Sequence, residues 1–299
     1  MNNKPFKMGY VALIGAPNAG KSTLLNHLLG QKISITSRKP QTTRHRILGI
    51  KTQENSQVVY VDTPGMHLGS KKALNKYLNK TADASLTGVD IIVWVKDDAR
   101  WEDVDASILE KLRDIGTPVI LALNKIDKLQ DKASLLPFVQ EVSTKYNFAT
   151  IIPISALSGT KLDDFEEVVT GLLPEGMPLY PEDQITDSSE RFMAAEIIRE
   201  KLTRRLSDEL PHSMSISLEQ FKVEENITRI YATIWVERDG QKNIVIGKKG
   251  IVLKEVGTRA RIDLEQLLDT KVYLNLWVKI KKSWSESARE VINLGYTDL

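Results

Sequence analysis

Over the first 172 residues the apolar positions come in short unbroken runs, with amphipathic stretches between them. Residues 8–14 predict a buried strand and 21–30 a helix. Residues 46–53 and 56–62, rich in branched apolar side chains, predict a strand pair, and 72–86 a helix. Three further runs, Val89 to Val95, Pro118 to Leu123 and Thr150 to Ile154, predict strands. Helical periodicity fills 103–115, 131–145 and 161–172. Apolar strands alternating with helices specify an α/β unit whose mostly parallel sheet is covered on both faces.

After Leu173 the pattern breaks. Pro174, Pro178 and Pro181 fall in an acidic, serine-containing stretch that cannot sit inside a helix or a central strand. A linker over 174–189 between units at 1–173 and 190–299 is expected. The second unit has another rhythm: a helix over 190–206, strands over 214–223 and 227–237, and a helix–loop–helix through Gly250 to about Asp269. Residues 271–282 alternate, with Val272, Leu274, Leu276, Val278 and Ile280 on one face and Tyr273, Asn275, Trp277, Lys279 and Lys281 on the other. This is an α+β unit, closed by a short helix.

Composition narrows the class. A chain of 299 residues, 41% hydrophobic, has room for two ordinary cores. It has no cysteine, which excludes disulfides and thiolate metal sites and fits a reducing compartment. The N-terminal residues are too few and too polar for a signal peptide, and no run approaches the roughly 20 apolar residues of a membrane span. A cytoplasmic monomer is the expectation. The formal charge of +2 says little about partners.

The chemistry sits in loops that follow predicted strands. Gly15-Ala16-Pro17-Asn18-Ala19-Gly20-Lys21-Ser22 has phosphate-loop spacing between a strand and a helix that continues with Thr23. Its N–H groups and the helix N-terminus can cradle phosphate oxygens. Lys21 supplies positive charge, and Ser22 a hydroxyl for Mg2+. Asp62-Thr63-Pro64-Gly65 ends the next apolar run: Asp62 can hold Mg2+ through water, and the Gly65 N–H can meet the terminal phosphate. In Asn124-Lys125-Ile126-Asp127, the Asp127 carboxylate can accept from guanine N1–H and its amino group, so adenine would leave it unpaired. Asn124 can brace the loop, and the stem of Lys125 can lie along the base. Ser155-Ala156 ends a further run, where the Ala156 N–H can donate to guanine O6.

These loops in this order resemble the five-motif, Ras-like P-loop GTPases over residues 8–172. The phosphate-loop Asn18, the Asp-Thr-Pro-Gly sequence and Gln41-Thr42-Thr43-Arg44 are similar to the bacterial branch that includes the tRNA-modifying GTPases and Era. The resemblance implies that Thr43, or alternatively Thr42, is the mobile-loop ligand for Mg2+ and the γ-phosphate. Met66 stands where signalling GTPases carry a water-orienting glutamine, which implies slow intrinsic GTP hydrolysis with an external stimulus. Asn18 is a candidate ligand for potassium. Arg38, Arg44 and Arg46 are candidate charge donors, although solvated loop arginines are the simpler reading. The loops expected to order with nucleotide span 33–45 and 63–72.

In the second unit, Ile244-Val245-Ile246-Gly247-Lys248-Lys249-Gly250 carries a G-x-x-G loop between helices, the device with which KH domains clamp about four nucleotides. The order helix, strand, strand, helix, loop, helix, strand matches a type II KH domain. Between Arg238 and Arg261 there are seven basic residues, Lys254 among them, against two acidic ones, although 182–299 as a whole holds 19 basic and 20 acidic residues. Ile244, Ile246 and Val252 can line a groove, and Trp277 and Trp284 can stack on bases or pack as core. A GTPase unit followed by a type II KH unit resembles the Era family over essentially the whole chain. That resemblance implies binding near the 3′ end of small-subunit (16S) ribosomal RNA and a role in 30S subunit assembly, with no DNA partner. A tRNA-modifying enzyme is disfavoured, because such proteins need a catalytic cysteine. A switch with weak membrane-surface contact through Lys279, Lys281, Lys282 and the tryptophans is the alternative.

Overall fold

A computed structural model describes residues 5–66, 72–97, 99–129, 131, 135–206 and 210–297. The apolar runs become strands β1 (Lys7–Ile14), β2 (Ile47–Gln53), β3 (Ser56–Asp62), β4 (Ile91–Lys96), β5 (Val119–Leu123) and β6 (Thr150–Pro153). They form one sheet in the order β2-β3-β1-β4-β5-β6, parallel throughout except that β2 runs against β3. Helices α1 (Lys21–Leu29), α2 (Ala73–Ala84), α3 (Asp103–Leu112), α4 (Leu135–Lys145) and α5 (Leu162–Leu172) lie between and after the strands. Residues 132–134 of the helix expected over 131–145 lie outside the described residues.

Alternation along each strand sorts the core into two layers. Val11 and Leu13 of β1 and Val93 of β4 pack with Leu24, Leu25, Phe165 and Val169 of α1 and α5. Ala12 and Ile14 of β1 and Trp94 of β4 pack on the opposite face with Ile108, Leu112, Phe138 and Val142 of α3 and α4. Because the strands are parallel, the loops after β1, β3, β5 and β6 emerge at one edge of the sheet. This is the edge at which open α/β sheets bind ligands.

In the second half, α6 (Glu190–Arg205) precedes β7 (Ser215–Glu224), β8 (Ile227–Val236), α7 (Asp239–Ile246), α8 (Ile251–Leu268), β9 (Lys271–Ile280) and α9 (Ala288–Asn293). The sheet order is β7-β8-β9, with β7 antiparallel and β9 parallel to β8. A parallel pair needs a crossover, which α7 and α8 provide. Both helices cover one sheet face together with α6, around Ile198, Leu202, Ile230, Ile234 and Val256.

Residues 174–189 are tied down along the first unit. The Gln57 side chain accepts from Leu179 N and Tyr180 N and donates to Tyr180 O, at 2.8–3.0 Å. Ile50 N donates to Ile185 O (2.7 Å) and Thr186 Oγ1 to Leu48 O (2.7 Å). The strap thus covers edge strand β2, whose backbone groups would otherwise be open to a foreign strand.

Candidate functional site

The phosphate loop is shaped by glycines at three points. A Cβ on Gly15 would stand 2.2 Å from Val95 O, on Gly20 2.2 Å from Asn124 Nδ2, and on Gly65 2.7 Å from Pro17 Cα. Gly15 and Gly20 also take left-handed φ values of 143° and 105°. Lys21, buried, donates to Gly15 O (3.0 Å) and Ala16 O (2.9 Å). Burial lowers its ammonium pKa to about 8, against the pull of Asp62 and Asp97.

Asp62 is fully buried at the end of β3. Its Oδ2 accepts from Ser22 Oγ (2.7 Å) and Ser34 Oγ (2.9 Å), and Ser22 Oγ lies 2.8 Å from Thr43 Oγ1. Asp62 Oδ1 is buried with no hydrogen-bond partner in the protein, and burial pushes the carboxyl above its usual range. A lone carboxylate oxygen beside two hydroxyls is a hard oxygen donor set, and it fits Mg2+. Thr43 rather than Thr42 stands at this point; Thr42 Oγ1 donates to Lys39 O (2.6 Å). Thr63 is buried and donates to Leu13 O (2.8 Å). Met66 packs into the core with its N–H on Gly15 O (3.2 Å), so its thioether is turned away from the cleft. The rest of the expected 63–72 loop, from residue 67 to 71, lies outside the described residues.

Asn124 braces three loops: Nδ2 donates to Ala19 O (2.8 Å), and Oδ1 accepts from Lys125 N (2.8 Å) and Ala156 N (2.9 Å). The Ala156 N–H, expected to face guanine O6, is therefore engaged by Asn124 in this structure. Asp127 accepts from the buried Ser155 hydroxyl (2.5 Å), which fixes the carboxylate rotamer. Lys125, at φ 65°, bridges Asn18 O (2.7 Å) and Asp97 (2.6 Å). Asn18 donates Nδ2 to Arg38 O (2.8 Å). These loops enclose a cleft of about 920 Å³ lined by Asn18, Lys21, Ser22, Thr23, Thr43, Gly65, Asn124, Lys125, Asp127 and Ala156 among others.

One lining residue comes from the second half. Arg204 of α6 donates to Thr36 O (2.9 Å) and Thr36 Oγ1 (2.8 Å). It belongs to a charged face of α6 that grips segment 33–45. Glu200, fully buried, accepts from Thr36 N (3.0 Å) and pairs with Lys32 (2.5 Å) and Arg204 (3.0 Å). Arg199 pairs with Glu196 and also donates to Thr42 O. Burial opposes ionisation of Glu196, but Arg199 holds its carboxyl below the usual range. Arg44 corrects the expectation of a solvated or catalytic loop arginine. It is 1% exposed and donates to Met214 O (2.8 Å), Tyr296 OH (2.8 Å) and Pro211 O. Sequence reasoning missed this network, because its partners lie 157 to 252 residues away and no local pattern marks them.

In the second half, α7 ends at Gly247 (φ 73°), where a Cβ would stand 2.5 Å from Val252 Cγ2. Lys249 and Gly250 are also left-handed, so the loop tip projects Lys248 and Lys249 into solvent, with Lys254 exposed one turn into α8. Ile244 is exposed, and Ile246 and Val252 are half-buried beside the loop. Arg259 and Arg261 are neutralised by Glu255 (2.9 Å) and Glu265 (2.8 Å), so the positive patch is narrower than the sequence count implies. Trp284 is 0% exposed; it packs with Leu74, Tyr77 and Leu78 and donates Nε1 to Ser213 O (3.1 Å), so it cannot meet a base or a lipid.

A sheet with a phosphate loop, an Asp-Thr-Pro-Gly turn and an Asn-Lys-x-Asp loop at one edge, followed by a β-sheet unit with a G-x-x-G loop, defines a Ras-like P-loop GTPase domain joined to a KH domain. Residues 10–125 match the family model described as 50S ribosome-binding GTPase, and 209–285 the KH domain model. The chain is 53% identical to GTPase Era of Marinobacter nauticus over 99% of its own length and 97% of that protein. Among solved structures, a variant of Aquifex aeolicus Era bound to GDP.AlF4- superposes with a TM-score of 0.94 at 41% identity, covering 98% of this chain and 100% of that one. Era in complex with MgGDPNP and nucleotides 1506–1542 of 16S ribosomal RNA gives 0.95 at 42%, covering 98% and 99%. The chain belongs to the GTPase Era family.

Proposed function

We propose that this protein is a GTP-gated RNA-binding switch of small-subunit assembly, in which residues 1–173 hydrolyse GTP slowly and residues 190–299 hold 16S ribosomal RNA near its 3′ end. The observation that carries the reading is the double engagement of segment 33–45. Thr43 turns to the nucleotide cleft, and its neighbour Arg44 is buried in the second half. In this reading the amides of 15–22 with Lys21 hold the phosphates, and Ser22, Thr43 and Asp62 hold Mg2+. Bound there, Mg2+ offsets charge on the phosphate oxygens. Asp127 accepts from guanine, Asn124 and Ser155 hold the base-contacting loops in place, and Lys125 flanks the base. The Gly65 N–H senses the terminal phosphate. With Met66 in the core, no side chain at that position orients the attacking water, so hydrolysis awaits an external stimulus.

Gly247, Lys248, Lys249, Gly250 and Lys254 contact the RNA backbone, and Ile246 lines the groove. Asn18 offers its side-chain oxygen Oδ1 to a potassium ion, and replacing potassium with sodium slows turnover severalfold. The protein acts as a cytoplasmic monomer, with peripheral membrane contact at most transient; among the described residues no helix is long and apolar enough to cross a membrane. The test is calorimetry with Mg2+: GTP binds far more tightly than ATP, and the GTP-analogue form binds the 1506–1542 RNA more tightly than the GDP form. Equal affinity for ATP removes the nucleotide reading, and equal RNA affinity in both nucleotide states removes the gating.

A further inference from the structure

The second sheet has a face that the KH groove does not use. Helices α6, α7 and α8 cover the side that carries Ile230, Ile234, Val272 and Val278. On the opposite side the register aligns Arg229 with Tyr273, Tyr231 with Asn275, Thr233 with Trp277 and Trp235 with Lys279. From β7, Ser217, Gln220 and Lys222 pair with Thr233, Tyr231 and Arg229 on the same face. Four aromatic rings thus share one surface of a three-stranded sheet. Tyr231 stacks on Trp277 with centroids 5.8 Å apart and planes 20° from parallel, and Tyr273 flanks Tyr231 at 5.7 Å. Trp277 is 46% exposed and Tyr273 39%.

Cations are interleaved with the rings. Arg229 lies 5.5 Å from the centre of Tyr273, and Lys279 and Lys281 lie 5.7 and 5.6 Å from that of Trp235. Two acidic residues of the strands stand on this side: Glu224 is paired with Lys222 (3.0 Å) and Arg229 (3.1 Å), and Glu219, at the bulge of β7, accepts from Ser217 Oγ (3.4 Å). Lys281 is also held by Glu290 of α9.

We infer that this outer face is a second RNA-binding surface, on which unpaired bases continue the Tyr231–Trp277 stack while Lys279, Lys271 and Arg229 meet the phosphates. Rings with exposed π-faces beside mobile cations are how proteins hold unpaired nucleotides with little sequence preference. Asn275 and Gln220 add amide donors and acceptors suited to base edges. A lipid surface has no use for them, and this favours RNA over a membrane. The inference rests on the RNA-binding reading above. A KH groove clamps about four nucleotides, so any longer RNA must find further surface.

The test uses the full chain with Mg2+ and a non-hydrolysable GTP analogue. The probes are 16S nucleotides 1506–1542, pieces of that RNA of about four nucleotides, and phosphatidylglycerol vesicles. Trp277→Ala with Tyr231→Ala should weaken the long RNA about five- to 150-fold for each base lost from the stack. The same variant should leave the short pieces unaffected. Trp277→Phe with Tyr231→Phe, which keeps the rings, should restore most of the loss. Gly247→Asp with Gly250→Asp should abolish the short pieces. The surface is ruled out if the long RNA ignores the ring variants, if long and short RNAs weaken equally, or if only vesicle binding is lost. If the wild-type protein binds neither RNA, the RNA-binding reading itself is wrong, and this inference falls with it.

Discussion

Arg44→Ala should cost GTP-state affinity while sparing GDP. The guanidinium makes three hydrogen bonds in the second half, to Met214 O, Tyr296 OH and Pro211 O. Charge-assisted bonds contribute about 1.5–3 kcal/mol each, and burying the cation takes back several kcal/mol. Burial accordingly holds its pKa below the ordinary guanidinium value. The net docking energy comes to about 3 kcal/mol, or about two powers of ten in an equilibrium constant. Thr43 precedes Arg44 directly, so whatever free energy docks Arg44 also holds Thr43 beside Ser22. Titration calorimetry with Mg2+ should show the GTP-analogue affinity of Arg44→Ala falling tenfold or more, up to about a hundredfold if the coupling is complete. GDP, which lacks the phosphate that Thr43 is proposed to meet, should change little. Arg44→Lys keeps the charge but loses the planar fork and should fall between the two. Equal losses for both nucleotides, or none, would refute the reasoning.

Asp127→Asn should abolish tight GTP binding and favour xanthosine triphosphate, whose base offers an acceptor where guanine carries its amino group; competition binding reads this directly. Lys21 gives a pH dependence. Its folded pKa of about 8 lies below the ordinary lysine value of 10.5, so between those values the unfolded chain holds the extra proton and the nucleotide-free protein gains stability as pH rises. Bound phosphates favour the charged ammonium. Nucleotide binding should therefore take up a proton above about pH 8 and weaken as pH rises further, which is measurable by calorimetry in buffers of different ionisation heat. Gly247→Ala adds a Cβ 2.5 Å from Val252 Cγ2 at a left-handed φ, so RNA binding should fall severalfold while GTP affinity is unchanged.

Most of the nucleotide site was legible because each loop is contiguous and follows a strand that declares itself by composition. Parallel pairing then brings four such loops to one edge without further instruction. The G-x-x-G loop was legible for the same reason. What sequence spacing could not give was the partner of any side chain that leaves its own segment. Arg44 reads as a solvated loop arginine until Pro211 and Met214 close over it. Arg204, an exposed residue of α6, reaches the nucleotide cleft from the second half, which no local spacing announces. The strap at 174–189 reads as a free linker because the hydrogen-bonding role of Gln57 lies more than a hundred residues upstream. Trp277 and Trp284 look alike in sequence. The alternation of β9 assigns Trp277 to the outer face, but Trp284 lies beyond the strand end, where no period says which way it points.

Coupling between the two halves follows from the adjacency of Thr43 and Arg44. One residue contacts the Ser22–Asp62 cluster and the next is anchored in the second half, so a backbone shift that withdraws either must withdraw both. Arg199 reinforces the joint by holding Thr42 O, and Glu200 by holding Thr36 N. Segment 33–45 is therefore a single element with two clients, and in the proposed switch its docked form is the one the terminal phosphate favours. Linkage then makes the effect reciprocal: if the GTP analogue tightens RNA binding by some factor, RNA must tighten analogue binding by that same factor. The Arg44 contacts alone, at about 3 kcal/mol, carry that factor to about two powers of ten, so a larger measured coupling would draw on the Arg199 and Glu200 contacts or on one outside this segment.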